Sequence, residues 1–384
     1  MTSGRVRQLD ALRGFALLGI VLGNVQWFSG YAVDPAPVKD LLGLDSAVTF
    51  ALHLLVDGKF YALFSLLFGA SFCLMLQRER ERGRNPNTTA RRRLLALFVL
   101  GSAHATLVWF GDILSLYAVA ALPLAALLRC SDGAVLRWSI GLLISPAFLS
   151  GALLRWADPA QSSALIYGPI EQLSSFGSGG AFDLLSANAA FLGQRWILAL
   201  ASGRLPRLLG LFLLGGLLIR RRPVLSPFSW GVLLVVAITT NLALATLADA
   251  PPLPPSPVGL LRDSIACVAL PTGALAYAAI LWGPLRNSGA VTDALMHAGR
   301  LSATHYLSQS LVLAFIFYGL GLGAWGVLGA TGSVLVGGAI ALTQLAISPA
   351  WRARLGVGPG EHALRSLDRM LRNESGLGRG TLEP

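Results

Sequence analysis

Residues 94–128 read LLALFVLGSAHATLVWFGDILSLYAVAALPLAALL, an almost unbroken apolar stretch that carries His104 in its interior and Asp112 shortly after it. A lipid core about 30 Å thick takes roughly 20 apolar residues in helical form, so a run of this kind reads as membrane-spanning helix. Ionisable side chains inside such a run are costly to insert, which makes each of them a candidate functional residue. One segment therefore constrains both the class of fold and the place to look for chemistry.

The composition agrees. Of 384 residues, 54% are hydrophobic and only 13% charged, where a soluble domain carries about 25% charge. The expected fold is all-α, a polytopic integral membrane bundle of about ten transmembrane helices. The formal net charge is +11, and Lys39 and Lys59 are the only lysines among the cations. In a soluble protein that excess suggests nucleic acid. Here the arginines stand at the ends of apolar runs, where membrane topology explains them and no nucleic-acid partner is expected. Cys73, Cys130 and Cys267 show no CxxC spacing, so neither a disulfide framework nor a metal site is expected. The first apolar run begins near Gly14 without a small-residue cleavage site after it, which predicts a retained helix.

Ten apolar segments can be marked, at 14–33, 60–76, 94–110, 113–128, 136–154, 208–219, 228–248, 264–282, 301–324 and 333–348. Arginines precede the first (Arg5, Arg7, Arg13), fill 78–93, follow the sixth (Arg220 to Arg222), flank the eighth-to-ninth connection (Arg286, Arg300) and follow the tenth (Arg352, Arg354, Arg365). If ten helices alternate, all of these share one side, and the positive-inside rule makes it the cytoplasm. The chain is expected in the cell inner (plasma) membrane, multi-pass, with both termini cytoplasmic. The organisation predicted is an N-terminal five-helix half over 1–155, an extracytoplasmic or interfacial connection over 156–207, a C-terminal five-helix half over 208–350 and a cytoplasmic tail over 351–384. The opposite side should carry 34–45, the turn at Gly111 and Asp112, and the proline-rich 249–259.

Four groups of residues could carry chemistry. In 93–112, taken as a helix running outward, Arg93 and His104 are eleven residues apart, about three turns, so they share a face at about 16 Å along the axis. A turn after Gly111 could bring Asp112 back onto His104, giving an imidazole with a carboxylate partner, a competent general base; the bland alternative is a histidine that only joins helices. In 53–69, His53 and Asp57 at i,i+4 share a helix face, followed by Lys59 and Tyr61. The alternative there is an interfacial anchor with Lys59 snorkelling to the membrane surface. In the first helix Arg13 and Asn24 share a face by the same arithmetic, and a buried Asn more often joins helices than catalyses. In 299–323, Thr304 with Ser308 and His305 with Gln309 lie four apart, a polar stripe expected to face a cavity. No G-x-S-x-G elbow, Walker A loop or H-E-x-x-H motif occurs.

LDALRGFALLGI at 9–20, FYALFSLLFG at 60–69, RRRLLALFVLGSAH with GDIL after it, and GRLSATHYLSQSLVLAFIFYGLGLG at 299–323 together resemble the YeiB-like family of polytopic membrane proteins, a domain of unknown function, over most of the chain. That family is similar to the transmembrane acyltransferases, which include heparan-alpha-glucosaminide N-acetyltransferase and the acyltransferase-3 proteins. The resemblance implies acyl-CoA or acetyl-CoA as donor, used on the cytoplasmic side, and an acceptor modified within or across the bilayer. Asn24 falls at the position of the glucosaminide enzyme's active-site Asn, and Arg93 with His104 fits the Arg-x10-His spacing of acyltransferase-3 proteins. Two departures stand beside these matches. His53 is the only histidine in the connection where the glucosaminide enzyme has its reactive one, at a longer spacing. His305 stands where many YeiB-like proteins have Asn.

The leading expectation is an acyltransferase acting on a hydroxyl or amine of a glycan, lipid or small metabolite. His104 would be the base, Asp112 its orienter or an acceptor ligand, and Asn24 a donor to the carbonyl oxygen. Arg13, Arg91, Arg92 and Arg93 would hold CoA phosphates, and His53, Asp57, Lys59, His305 and Gln309 would line the acceptor side. The partners are the bilayer and that acceptor, with a homodimer compatible. A transporter or flippase using the same polar residues as a substrate or proton path, and a structural component without chemistry, are the competing readings. The topology is directly testable: a cysteine placed at Asn87 in a cysteine-free background should react with a membrane-impermeant maleimide only after the cells are opened, and labelling of intact cells would reverse the assigned orientation.

Overall fold

The computed structural model describes residues 7–31, 43–156, 174–221, 226–248 and 257–377, and no strand occurs among them. The helices are α1 (Arg7–Phe28), α2 (Asp45–Leu55), α3 (Lys59–Glu81), α4 (Pro86–Leu107), α5 (Leu114–Ala120), α6 (Leu124–Leu127), α7 (Asp132–Trp156), α8 (Ser174–Ser178), α9 (Ala181–Ala201), α10 (Arg204–Arg221), α11 (Pro227–Thr246), α12 (Pro257–Trp282), α13 (Ala290–Arg300), α14 (Ser302–Phe317), α15 (Ala330–Arg354) and α16 (Pro359–Leu377). Local chemistry sets several of the boundaries. Asn85 accepts the backbone N–H of Asn87 and Ser226 that of Ser229, each with proline as the first helical residue, the capping pattern that satisfies a helix's free amides. Asp45 does the same across the fold, accepting the N–H of Thr331 in the first turn of α15 at 2.8 Å.

Each of the ten expected apolar segments contains helix, but among the described residues seven helices are long and apolar enough to cross a membrane: α1, α2 continued into α3, α7, α9, α11, α12 and α15. Six coincide with expected spans. The four that fall short are α4, with Arg91, Arg92 and Arg93 in its first half, the pair α5 and α6, interrupted at 121–123 before Leu124, α10, with arginines near both ends, and α14, only 16 residues long. The seventh, α9, lies in the stretch expected to be an extracytoplasmic or interfacial connection. The expected outer segments at 34–42, 157–173 and 249–256 lie outside the described residues.

Packing interleaves the expected halves. α1 lies along α13, α3 and α7 both pack on α10, and α12 packs on α11 and α7. Two apolar clusters fill the centre, one around Phe72, Tyr117 and Phe212 and one around Leu12, Leu63, Leu66 and Leu211. Lipid tails are as apolar as these side chains, so close backbone approach and interhelical hydrogen bonds decide which helices pair. The α3–α10 contact shows this: a Cβ at Gly69 would land on the carbonyl of Phe212, and one at Gly215 on that of Leu66.

The arginine-bearing helix ends form one continuous chain of contacts. Arg7 pairs with Asp293, and Asp10 takes both Arg13 (2.6 Å) and Arg300 (3.1 Å). Thr304, just past Arg300, binds Glu361 of α16, and Asp368 of α16 pairs with Arg92 at 2.6 Å. Asn87 accepts from Arg129, and Asp132 takes Arg220 and Arg221, each at 2.8 Å. The described clusters thus gather at one end of the bundle, as the arginine pattern predicts. His297 sits there too; burial, and then the nearby Arg300 and Arg352 charges, lower its imidazole pKa from the usual histidine value. Gly69→Val or Gly215→Val should force α3 from α10 and lower the melting temperature in detergent, an overpacking loss of about 1–3 kcal/mol. Unchanged melting would mean the two helices part without penalty.

Candidate active site

α4 ends at Leu107, where the amides of Val108 and Trp109 both bond to the carbonyl of His104 and that of Asp112 bonds to Trp109, turning the chain back on itself. Gly101 makes room for the return: a Cβ there would meet the backbone nitrogen of Ser115 and the Asp112 carboxylate. α4 and α5 therefore form a hairpin whose tip folds inward, and Asp112 is fully buried beside His104, itself 5% exposed.

The Asp112 carboxylate is the hub. Its Oδ1 lies 3.1 Å from His104 Nδ1 and 3.4 Å from the Tyr306 hydroxyl of α14, and its Oδ2 accepts from both the amide and the hydroxyl of Ser115 at 2.9 Å. Tyr306 in turn accepts the N–H of Ile113 at 3.0 Å. On the other side Arg195 of α9 donates to Ser115 Oγ at 3.4 Å and stands 3.9 Å from Asp112 Oδ2. Asn188, two turns earlier on α9, accepts the N–H of Phe110 and donates to the carbonyl of Thr106, so α9 lies across the hairpin tip. His104 Nε2 is buried with no hydrogen-bond partner. A carboxylate on Nδ1 holds the proton there and leaves the Nε2 lone pair to act as a base.

The other expected residues fall elsewhere. Asn24 is half-buried on α1 and is not among the hydrogen-bond partners of the His104–Asp112 pair. His53 and Asp57 meet as the i,i+4 spacing predicts, at 2.7 Å, and Asp57 also accepts from Gln26. Lys59 does not snorkel: it is 1% exposed, and its ammonium turns back to the carbonyls of His53 (2.5 Å) and Asp57 (3.2 Å), because the chain breaks between α2 and α3 and leaves those oxygens without helical partners. The polar stripe of α14 meets α15 instead of the expected cavity. His305 Nε2 bonds Ser348 at 2.7 Å, Gln309 donates to Gln344 at 2.7 Å, and Gln344 donates to Ser308 and to the carbonyl of His305. Polar groups in an apolar bundle find each other, and a helix neighbour satisfies them without a cavity. Arg91 and Arg93 are exposed, whereas Arg92 and Arg13 are committed to Asp368 and Asp10.

Sequence reasoning missed Arg195, Ser115 and Tyr306. Arg195 carried a usable signal, a lone arginine inside a 21-residue apolar helix away from any arginine cluster. Ser115 and Tyr306 carried none, since hydroxyls are common in membrane helices.

Residues 220–370 match the family model described as protein of unknown function DUF418. The uncharacterized protein YxaH of Bacillus subtilis is 26% identical over 400 aligned positions, covering 95% of this chain and 94% of the relative. The uncharacterized protein YeiB of Escherichia coli is 28% identical, covering 82% and 84%. Over most of its length the chain is thus similar to YeiB-like proteins of unknown function. An uncharacterized 39.9 kDa protein of Bacillus acidopullulyticus is 40% identical over 114 residues, about 30% of each chain. No solved structure matches. Of the site, the DUF418 region contains Tyr306, while His104, Asp112, Ser115 and Arg195 precede it. Because several donors converge on one carboxylate, Asp112→Ala should be far more damaging than His104→Ala. Leaving Arg195 and the other donors without it is expected to reduce stability by about 3–5 kcal/mol, measured by thermal unfolding in detergent. Equal losses for the two variants would deny Asp112 its central place.

Proposed function

We propose that the chain is an integral membrane acyltransferase that moves a short acyl group from acyl-CoA to a hydroxyl or amine of a glycan, lipid or small metabolite. The observation that carries this reading is the partnerless Nε2 of His104, buried in the bundle on an imidazole whose Nδ1 is held by Asp112. The arginine-rich end faces the cytoplasm in the inner membrane, with both termini on that side, and receives the donor. Arg91 and Arg93, exposed there, take the CoA phosphates first, since Arg92 and Arg13 already have carboxylate partners.

In the reaction His104 Nε2 accepts the proton from the acceptor's O–H or N–H as that atom bonds to the thioester carbonyl carbon. The carbon–sulfur bond then breaks, and the departing thiolate takes the proton back from the imidazolium. Asp112 stabilises the transient imidazolium. Asn24 is the proposed donor to the carbonyl oxygen as charge develops on it. His53, Asp57, Lys59, His305 and Gln309 remain the proposed acceptor-side residues. The ion pair of Arg195 with Asp112 also suits a proton path, which keeps a transporter as the second reading.

Two measurements test the proposal. His104→Gln preserves hydrogen bonding without an equivalent base, and should reduce acyl transfer on the order of 10²-fold or more while leaving the amount of folded protein unchanged. Calorimetry of acetyl-CoA with the monodisperse wild type should give a binding heat that weakens in R91Q/R93Q, because each charge-assisted bond contributes roughly 1.5–3 kcal/mol. No heat with the wild type would sink the acyltransferase reading and favour transport.

A further inference from the structure

A second group of arginines lies at the other end of the bundle. Arg195 is on α9, and Arg204 and Arg207 are in the first turns of α10. Arg204 is 17 residues, about 25 Å of helix, from Arg221 at the arginine-rich end. Its guanidinium sits 5.3 Å from the ring centre of Tyr61, in the first turn of α3, whose last turn bears Arg78 and Arg80. All three guanidinium charges act on Tyr61, so they share one neighbourhood. Charge placement along the membrane axis does not explain them, because the positive-inside rule gathers cations at the opposite end.

Their charge is not balanced. Among the described residues Asp112 is the carboxylate that ion-pairs with this group, 3.9 Å from Arg195, and it is already engaged by His104 and Ser115. Arg204 and Arg207 make no ion pair among the described residues. Arg195 is 7% exposed, yet its Nε and Nη1 have no hydrogen-bond partner, and neither does the buried Nε of Arg207. Buried guanidinium groups left with free donors are costly unless an anion takes them up. The planar fork of arginine suits phosphate oxygens.

We propose that Arg195, Arg204 and Arg207 form a binding site for a phosphate group carried by the substrate. Arg195 and His104 approach the same carboxylate, so a phosphate held by Arg195 brings the remainder of its molecule beside His104 Nε2. The inference rests on the acyl-transfer reading only in naming that molecule the acceptor: a phosphate-bearing compound that enters from the end opposite the CoA donor. The phosphate can belong to a lipid headgroup or to a soluble sugar or polyol phosphate.

The full chain in phosphatidylcholine nanodiscs doped with phosphatidylglycerol, followed by native mass spectrometry, provides the lipid arm. Calorimetry with glycerol 3-phosphate provides the soluble arm. Expected is selective retention of one probe by the wild type, weakened at least tenfold in R195Q and in R204Q/R207Q. Loss confined to the lipid assigns a lipid phosphate, and loss confined to glycerol 3-phosphate a soluble one. Should R195Q fail to fold, R204Q/R207Q, which lies off the His104–Asp112 network, carries the test. Neither probe binding selectively, or both variants binding like wild type, overturns the site. Acetyl-CoA calorimetry on the same samples separates the two ideas: phosphate binding without acetyl-CoA binding defeats acyl transfer and leaves this site standing, and the reverse result does the opposite.

Discussion

A carboxylate withdrawn from water inside an apolar bundle persists only where enough donors and positive charge surround it. Asp112 meets that demand by drawing on separate parts of the chain: His104 from α4, Ser115 from α5, Tyr306 from α14 and Arg195 from α9. In satisfying one group, these contacts tie the α4–α5 hairpin to helices far away in sequence. The short α5 depends on that enclosure. With the helix interrupted at 121–123, its free backbone groups could not face lipid, and all but one of its seven residues are buried.

The same economy of donors explains where other buried polar residues turn. His305, Gln309, Gln344 and Ser348 satisfy one another between α14 and α15, and Lys59 closes the break before α3 by taking up two stray carbonyls. Those contacts order helices. In His104 one ring nitrogen is held by a carboxylate and the other is buried without a hydrogen-bond partner.

The arginines divide along the bundle. At one end Asp10, Asp132, Asp293 and Asp368 pair with Arg7, Arg13, Arg92, Arg220, Arg221 and Arg300, while Arg91 and Arg93 stand exposed. At the other end Asp112 pairs with Arg195 alone, and Arg204 and Arg207 have no ion-pair partner among the described residues. A donor bound at the first end and an anionic acceptor at the second would meet near His104, which lies about 16 Å along α4 from Arg93.

The helical class, the gathering of arginines at one end and the partnership of His104 with Asp112 were legible in the chain itself. Lipid demands long apolar runs, charges settle at their ends, and a turn after Gly111 has only a short distance to close. The i,i+4 pairing of His53 with Asp57 was legible for the same local reason. Tertiary structure decided everything that depended on long-range neighbours. Arg195 and Tyr306 reach Asp112 from 83 and 194 positions away along the sequence, and the α14 stripe meets α15. Each outcome follows from which donor lies nearest to an unsatisfied acceptor once the helices have packed, and helical periodicity holds no information about that.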